Sequence, residues 1–216
     1  LISGMISGAG DLTKNGAGSL ELSGANTYAG TTYLNAGTII VSHADGLGST
    51  AGGTIVAGGA TLVIQNVAVG NEALTILGIG TDGGGALLGI GSASWAGPIT
   101  LTGDTTFGGA DTLTLSGVIS GAFKLIKAGL GTLILNGANT FSGLTEVLSG
   151  ILQVGHALGL GSTANGTIVS DRATLSIVDA DLIAESVSLQ GLGFGGIGAL
   201  TGSGIASLAG NVLLLA

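Results

Sequence analysis

Cysteine is absent from this chain of 216 residues, and charged and aromatic side chains are scarce, at 7% and 3%. The lack of cysteine excludes disulfide bonds and thiolate metal sites. Because large aromatic side chains are few, the hydrophobic core must be built mainly from small aliphatic residues. This composition favours many thin, similar layers over one bulky core.

Basic residues are also few: Lys14, Lys124, Lys127 and Arg172 are the complete set, and the net charge is −8. Nucleic-acid binding requires a basic stripe that neutralises phosphates, and therefore nucleic acid is not expected among the partners. The chain contains no run of about 18 apolar residues, which argues against a membrane-spanning helix. No signal peptide is visible, because Leu1 already lies inside a repeat, and we interpret the chain as a fragment of a longer protein.

Glycine, in contrast, is abundant, with 45 residues, whereas there is a single proline. Each interior glycine costs a helix about 1 kcal/mol relative to alanine, and helices are therefore disfavoured nearly everywhere. The hydrophobic content of 45% argues against disorder. One long stretch, 167–190, lacks glycine. We predict strand and loop there, with a short helical turn at 181–186 as the alternative.

The sequence contains an internal duplication. The segment Gly16–Val41 returns almost intact as Gly129–Val154, so that equivalent positions differ by 113 in residue number. The same offset holds without a gap from residue 4 to residue 101 of the first copy. We therefore predict one continuous segment, 1–216, made of two tandem modules, 4–116 and 117–216.

Short alternating segments rich in leucine and β-branched residues, bounded by glycine, asparagine and serine, predict strands in both copies. Glycine lies one or two residues before and after most of them, where a tight corner requires positive φ. The predicted strands are 19–22, 38–41, 60–64, 99–101 and 112–115 in the first copy, and 132–135, 151–154 and 174–177 in the second.

Steps of roughly 20 to 25 residues separate the aliphatic side chains of successive predicted strands, and this period is typical of a solenoid. The turns of a solenoid bury their inner faces only against one another. We therefore predict an all-β fold, a parallel β-helix with about five coils per 113-residue module and strands about 4.8 Å apart. The alternative is a pair of β-sandwiches, one per module. The predicted ladder comprises Leu20, Ile39, Leu62, Leu87, Leu113 and Leu133.

The pattern Asn-Thr-aromatic-x-Gly, at 26–30 and 139–143, predicts a corner of the coil. We expect its asparagine to bond its own backbone and its aromatic ring to pack against the neighbouring coil. Ligand contact is the alternative role for Asn26 and Asn139.

Differences between the copies predict which positions face outward and which face inward. Positions that accept a change of charge should face solvent, and positions that stay aliphatic should face the core. The outward pairs are Asp11/Lys124, Glu21/Ile134, Tyr33/Glu146 and Gly59/Arg172, and the inward pairs are Leu20/Leu133, Leu22/Leu135, Val41/Val154, Leu62/Leu175 and Ile64/Ile177.

The segments 16–41 and 129–154 resemble the passenger-associated transport repeat of bacterial autotransporters, and the stretches 43–49 and 156–162 resemble the segment that follows it. The resemblance implies a right-handed β-helix in the secreted passenger of a type V system, displayed outside the cell at the bacterial surface. It also implies an outer-membrane β-barrel translocator elsewhere in the parent protein.

No catalytic, cofactor-binding or metal site is predicted. His43 and His156 occupy the same place in both copies, and a residue repeated with its whole module is better explained by the packing or turn of that module than by catalysis. Asp179, Asp181 and Glu185 are interpreted as part of a solvated loop, with a weak calcium site as the alternative.

The predicted function is structural: a rod segment of a secreted autotransporter passenger that supports folding, export and surface display. Neighbouring repeats of the same protein are its expected partners. One alternative is an adhesin module that contacts glycan or host protein, with Trp95 as its single tryptophan. Another is a surface filament formed by end-to-end self-association of unpaired strand edges. An enzyme is not predicted, because the four basic residues are spread along the chain.

Overall fold

The computed structural model describes residues 1–215 and shows a parallel β-helix of about nine coils. Each coil places short strands on up to three faces, and strands on the same face of successive coils pair in parallel. The predicted fold class is confirmed. The β-sandwich alternative is wrong, because the named strands pair with their counterparts in the next coil rather than within a separate module.

The strands are named in chain order and grouped here by face. Face 1 holds β1 Leu12–Lys14, β3 Thr32–Leu34, β5 Thr54–Val56, β8 Leu74–Gly78, the start of β11 Ile99–Gly109, and β13 Ile119–Ser120. Face 2 holds β2 Ser19–Leu22, β4 Thr38–Val41, β6 Thr61–Gln65, β9 Leu87–Ile90, the end of β11, β14 Leu125–Lys127, β16 Thr145–Val147, β18 Thr167–Val169, β21 Val187–Gln190 and β24 Val212–Leu215. Face 3 holds β7 Ala68–Val69, β10 Ser92–Trp95, β12 Thr112–Leu115, β15 Thr132–Leu135, β17 Gly150–Val154, β19 Ala173–Val178 and β22 Leu200–Ser203. The short strands β20 Asp181–Leu182 and β23 Ser207–Leu208 pair with each other.

All eight strands predicted from the sequence are present, with boundaries within two residues except at β11. The strand β11 continues for 11 residues, far beyond the predicted end at residue 101. Its register shifts between Leu101 and Thr105, and on either side of this irregularity it pairs with strands of two different faces. A bulge of this kind bends a strand, which lets one continuous strand turn a corner of the coil.

The predicted ladder of aliphatic side chains is correct except at one step. Register pairs join Leu20 to Ile39, Ile39 to Leu62 and Leu62 to Leu87. Leu87 then pairs with Phe107 rather than with Leu113. Leu113 belongs to another face, where it pairs with Ala93 below and Leu133 above. The predicted step was wrong because the coil that begins at Leu87 is shorter than the coil before it.

The corrected register shows that one sequence repeat is longer than five coils. Five coil steps along face 1 end at Ile119, and Leu125 lies six residues further, on the next face. Since Leu125 is the second-copy equivalent of Leu12, the repeat spans five coils and one face, and the two copies are rotated by about a third of a turn. The steps along face 1 run through Leu12, Thr32, Thr54, Leu74, Ile99 and Ile119.

The interior is a stack of aliphatic side chains contributed by every coil. Nine of the ten positions predicted to face inward are buried, and Leu20 is partly buried. None of the eight positions predicted to face outward is buried. Stacking equivalent positions in register therefore gives a mainly aliphatic core, to which Trp95, Phe107 and Phe141 contribute the large aromatic side chains.

The glycine-free stretch 167–190 forms strands and turns, as predicted, and the alternative of a helical turn at 181–186 is wrong. Within residues 1–215 the one helical element is a 3-10 turn at Phe194–Gly196. The described part of the chain contains no helix with the length and apolar character needed to cross a membrane.

Leu133 and Ile134 test the inward assignment as a matched pair. Leu133 is 2% exposed, whereas the neighbouring Ile134 is half-buried and corresponds to Glu21 in the first copy. We expect Leu133→Asp to lower the free energy of unfolding by at least about 3 kcal/mol, because it buries an unpaired charge. Ile134→Glu should change it by less than about 0.5 kcal/mol. Urea unfolding measures both, and equal losses would contradict the assignment.

Candidate functional site

Two charged positions keep the same residue in both copies: Lys14 with Lys127, and Glu72 with Glu185. Every other charged position that aligns between the copies is replaced. Lys127, Glu72 and Glu185 are between 1% and 3% exposed. Identity across the two copies is therefore a sequence signal for buried charged groups, and none of these residues was predicted as buried.

Lys127 closes a corner of the coil. Its Nζ donates hydrogen bonds to the carbonyl oxygens of Ala128, Gly129 and Ser149, at 2.7, 2.8 and 3.0 Å. These oxygens belong to two successive coils, and the three donors of the ammonium group are all used. Lys14 makes the equivalent three contacts in the first copy. Burial lowers the pKa of Lys127 to about 8.

Glu72 and Glu185 each accept a hydrogen bond from a threonine of the coil below. Thr54 Oγ1 donates to Glu72 Oε1 at 2.9 Å, and Thr167 Oγ1 donates to Glu185 Oε1 at 2.7 Å. Burial raises the pKa of Glu72 to about 7, and the hydrogen bond from Thr54 opposes this shift. Burial also raises the pKa of Glu185. Both carboxyl groups therefore hold a proton at higher pH than an exposed glutamate does.

The predicted solvated loop is wrong for Glu185, which is buried. Asp179 and Asp181 are exposed, as expected, but Asp181 belongs to the short strand β20 rather than to a loop. Asp179 accepts a hydrogen bond from the backbone N–H of Ile205, and Asp181 accepts one from Ser207 Oγ. Across residues 1–215 no group of three or more histidine, aspartate or glutamate side chains is close enough to hold a metal ion.

Asn26 and Asn139 join three successive coils. Asn139 Oδ1 accepts the backbone N–H of Ile119 at 2.8 Å, and its Nδ2 donates to the carbonyl of Gly159 at 2.7 Å. Asn26 makes the same two contacts, with equal distances, in the first copy. Both asparagines are 2% exposed. The prediction that they bond their own backbone was wrong, because partners in the coil below and in the coil above satisfy the amide.

The aromatic residue two positions further is buried against the neighbouring coil, as predicted. Tyr28 and Phe141 are 2% and 0% exposed. In the first copy Tyr28 Oη and Thr32 Oγ1 form a hydrogen bond. Phe141 has no hydroxyl group, and in the second copy the buried Oγ1 of Thr145 lacks a hydrogen-bond partner.

A pocket occurs at the same corner in both copies, beside each buried glutamate. The volumes are about 190 Å³ in the first copy and about 70 Å³ in the second. The first pocket is lined by Ala44, Asp45, Leu47, Gly48, Thr50, Ala68, Val69, Gly70 and Glu72. The second is lined by the residues one repeat later, Ala157, Leu158, Leu160, Gly161, Thr163, Asp181, Leu182, Ile183 and Glu185.

His43 and His156 shape the loop that forms the outer wall of each pocket. His43 Nδ1 accepts the backbone N–H of Asp45 at 3.1 Å, and His156 Nδ1 accepts that of Leu158 at 3.0 Å. These contacts span two residues and fix a turn, which supports the predicted turn role.

Each of the two pockets contains a buried glutamate, Glu72 or Glu185, whose pKa is raised. General acid–base catalysis would also need a reacting group placed beside that carboxyl group. The lining residues are otherwise glycine, threonine and aliphatic side chains, with Asp45 in one copy and Asp181 in the other. The duplicated contacts instead connect one coil to the next. The arrangement therefore indicates a structural role for this corner.

The pH dependence of stability tests the buried state of Glu72. Because its pKa is near 4.5 when unfolded and about 7 when folded, the folded protein binds the proton more tightly. The free energy of unfolding should fall as pH rises from about 4.5 to about 7, by on the order of 3 kcal/mol. Glu72→Gln should remove this part of the slope in urea unfolding, whereas Glu21→Gln, at a half-buried position, should not. An unchanged slope in Glu72→Gln would contradict the assignment.

The aromatic pair provides a reciprocal experiment. Phe141→Tyr should give Thr145 Oγ1 a partner and raise the free energy of unfolding by about 1 kcal/mol. Tyr28→Phe should leave Thr32 Oγ1 unpaired and lower it by a similar amount. Thermal unfolding measures both shifts, and two changes of the same sign would rule out the hydrogen bond as their cause.

Comparison with known proteins agrees with this geometry. Residues 12–41 and 125–154 match the passenger-associated transport repeat, and each match covers the corner with the bridging asparagine. The chain is 34% identical over 192 residues to the adhesin BmaC autotransporter of Brucella suis biovar 1 (strain 1330), an alignment that covers 89% of this chain and 5% of that protein. No solved structure matches the chain. The chain therefore contains two passenger-associated transport repeats and is similar in sequence to an autotransporter adhesin.

Proposed function

We propose that the chain is a structural rod segment of a secreted bacterial autotransporter passenger, which supports passenger folding, export and surface display. The observation that carries this proposal is the placement of two transport repeats within one set of parallel ladders. Each copy of the duplicated sequence supplies the same contacts between coils, through asparagine, lysine and glutamate side chains. These hydrogen bonds join successive coils, so that each further coil lengthens the rod.

Backbone hydrogen bonds between successive coils explain how the rod can lengthen during folding. A completed coil exposes backbone N–H and C=O groups along its upper edge, and these groups pair with the next coil. Coils can therefore be added one at a time as the chain emerges from the outer-membrane β-barrel translocator of the parent protein. Neighbouring repeats of the same protein are then the direct partners of this segment.

The location outside the cell, at the bacterial surface, is part of the same proposal. It is supported by the transport repeats and by the relative, which is named as an autotransporter adhesin. The chain spans only about 5% of the length of that relative. A longer parent protein for this chain, and the activity and partners of that protein, are therefore proposals.

Adhesive binding is a second candidate, favoured by the name of the relative. A glycan-stacking form of this function is not supported by Trp95, which is 0% exposed. Loss of Trp95 would therefore disturb the core and would not test glycan binding. End-to-end association into filaments stays a prediction, which sedimentation of the chain at increasing concentration can examine.

The bridging asparagine offers the test of the proposal. Asn139→Ala leaves the N–H of Ile119 and the C=O of Gly159 unpaired, and should lower the free energy of unfolding by about 2–3 kcal/mol. In the parent protein it should also lower the amount of passenger that extracellular protease removes from intact cells. Asn15→Ala, at an exposed position, is the matched control. A destabilised segment with undiminished surface display would contradict a role in export.

A further inference from the structure

An open groove of about 620 Å³ lies at the corner between faces 2 and 3 of the second copy. Its volume is within the range of small-molecule sites. Successive coils contribute Leu130, then Leu148, then Arg172, then Leu192, and the three leucines are 65%, 48% and 79% exposed. The remaining lining residues are Ser149, Asp171, Gly193, Phe194, Gly195 and Gly196.

The apolar character of this corner is stronger in the second copy than in the first, where only Leu192 has a large apolar equivalent, Ile79. Leu130 and Leu148 replace Ala17 and Asn35 of the first copy. Phe194 likewise replaces Thr81. These three changes enlarge the apolar side chains around one groove, while the coil beneath them keeps the same construction.

Arg172 is strained as well as exposed. Its φ is +63°, in the left-handed region, and the first copy has Gly59 at this position. A side chain that keeps an unfavourable backbone conformation where glycine would be relaxed points to a role outside folding. The side chain is 88% exposed, and its ion pair with Asp171 is loose, at 3.8 Å between Nε and Oδ2.

The charges around the groove differ from those of the protein as a whole. The chain carries a net charge of −8, and Arg172 is its single arginine. The ammonium group of Lys127 lies beneath the same corner, bound to the carbonyl of the lining residue Ser149. Two cationic groups against the carboxylate of Asp171 make this corner locally attractive to an anion.

We propose that this groove binds an aliphatic chain that ends in a carboxylate. The leucines and Phe194 contact the hydrocarbon, and the guanidinium group of Arg172 pairs with the carboxylate. The row from Leu130 to Leu192 spans three steps of about 4.8 Å, or about 14 Å, which suits a chain of roughly ten carbons. Arg172 lies on the third of the four coils, one step from the end of the row, and its long side chain reaches the carboxylate from there.

Titration calorimetry with sodium decanoate, below the concentration at which it forms micelles, tests the proposal. We expect saturable binding of one decanoate to the wild-type chain, and at least tenfold weaker binding to Arg172→Gly. Because glycine is relaxed at this backbone conformation, Arg172→Gly should be at least as stable in thermal unfolding. Leu148→Asn should weaken decanoate binding several-fold, and acetate should not bind.

Two controls separate this site from non-specific hydrophobic binding. Leu158→Asp places the first-copy residue Asp45 on a different exposed corner, and should bind decanoate like the wild type. Decanol has the same hydrocarbon without the charge, and should bind equally weakly to the wild type and to Arg172→Gly. Equal decanoate affinity in the wild type and Arg172→Gly would overturn the proposal. A ligand-free wild-type dimer that is lost in Arg172→Gly would assign the groove to a second copy of the chain and would also overturn it.

Discussion

The parallel backbone ladder between successive coils is the interaction on which the rest of this structure depends. An isolated coil has short strands on two or three of its faces and cannot bury its inner side chains alone. Pairing in register places leucine over isoleucine and threonine over threonine along each face. The core, the corner contacts and the exposed rows of side chains all follow from that alignment.

Glycine keeps the ladder continuous where the coil turns. Gly37 and Gly150 occupy the same corner in the two copies, both with positive φ. A Cβ atom added to either would lie within 2.5 Å of carbonyl oxygens in the coil below. The high glycine content is therefore required both by backbone conformation and by the close approach of neighbouring coils.

The sequence predicted the features that repeat at short range. Strand positions, inward-facing leucines and the turn role of His43 and His156 follow from alternation and from duplication. The residue that stacks on Leu87 in the next coil could not be assigned in this way. Coil length varies, and both Phe107 and Leu113 follow Leu87 at a sequence separation that fits one coil. Only the pairing of β11 with two faces, with β8 on face 1 and with β9 on face 2, shows that Phe107 continues the ladder.

Burial of the charged residues in the candidate site was also difficult to predict, because it involves contacts between different coils. The buried carboxyl group of Glu185 accepts a hydrogen bond from Thr167, which lies in the coil below and 18 residues earlier in the chain. Within its own stretch Glu185 accompanies two exposed aspartates and resembles them. Comparison of the two copies would have separated them, since the glutamate is retained and both aspartates are replaced. In a chain with few charges, a charged residue that survives duplication identifies a contact between layers.

Because each repeat spans five coils and one further face, equivalent corners of successive repeats would point in different directions around the axis of a longer array. If successive repeats keep the offset seen between these two, a given corner returns to the same azimuth only after three repeats, or sixteen coils. At about 4.8 Å per coil this corresponds to a pitch of about 77 Å. Such an array would carry its side-chain features along a shallow helical path, and a flat opposing surface would meet each kind of corner at every third repeat.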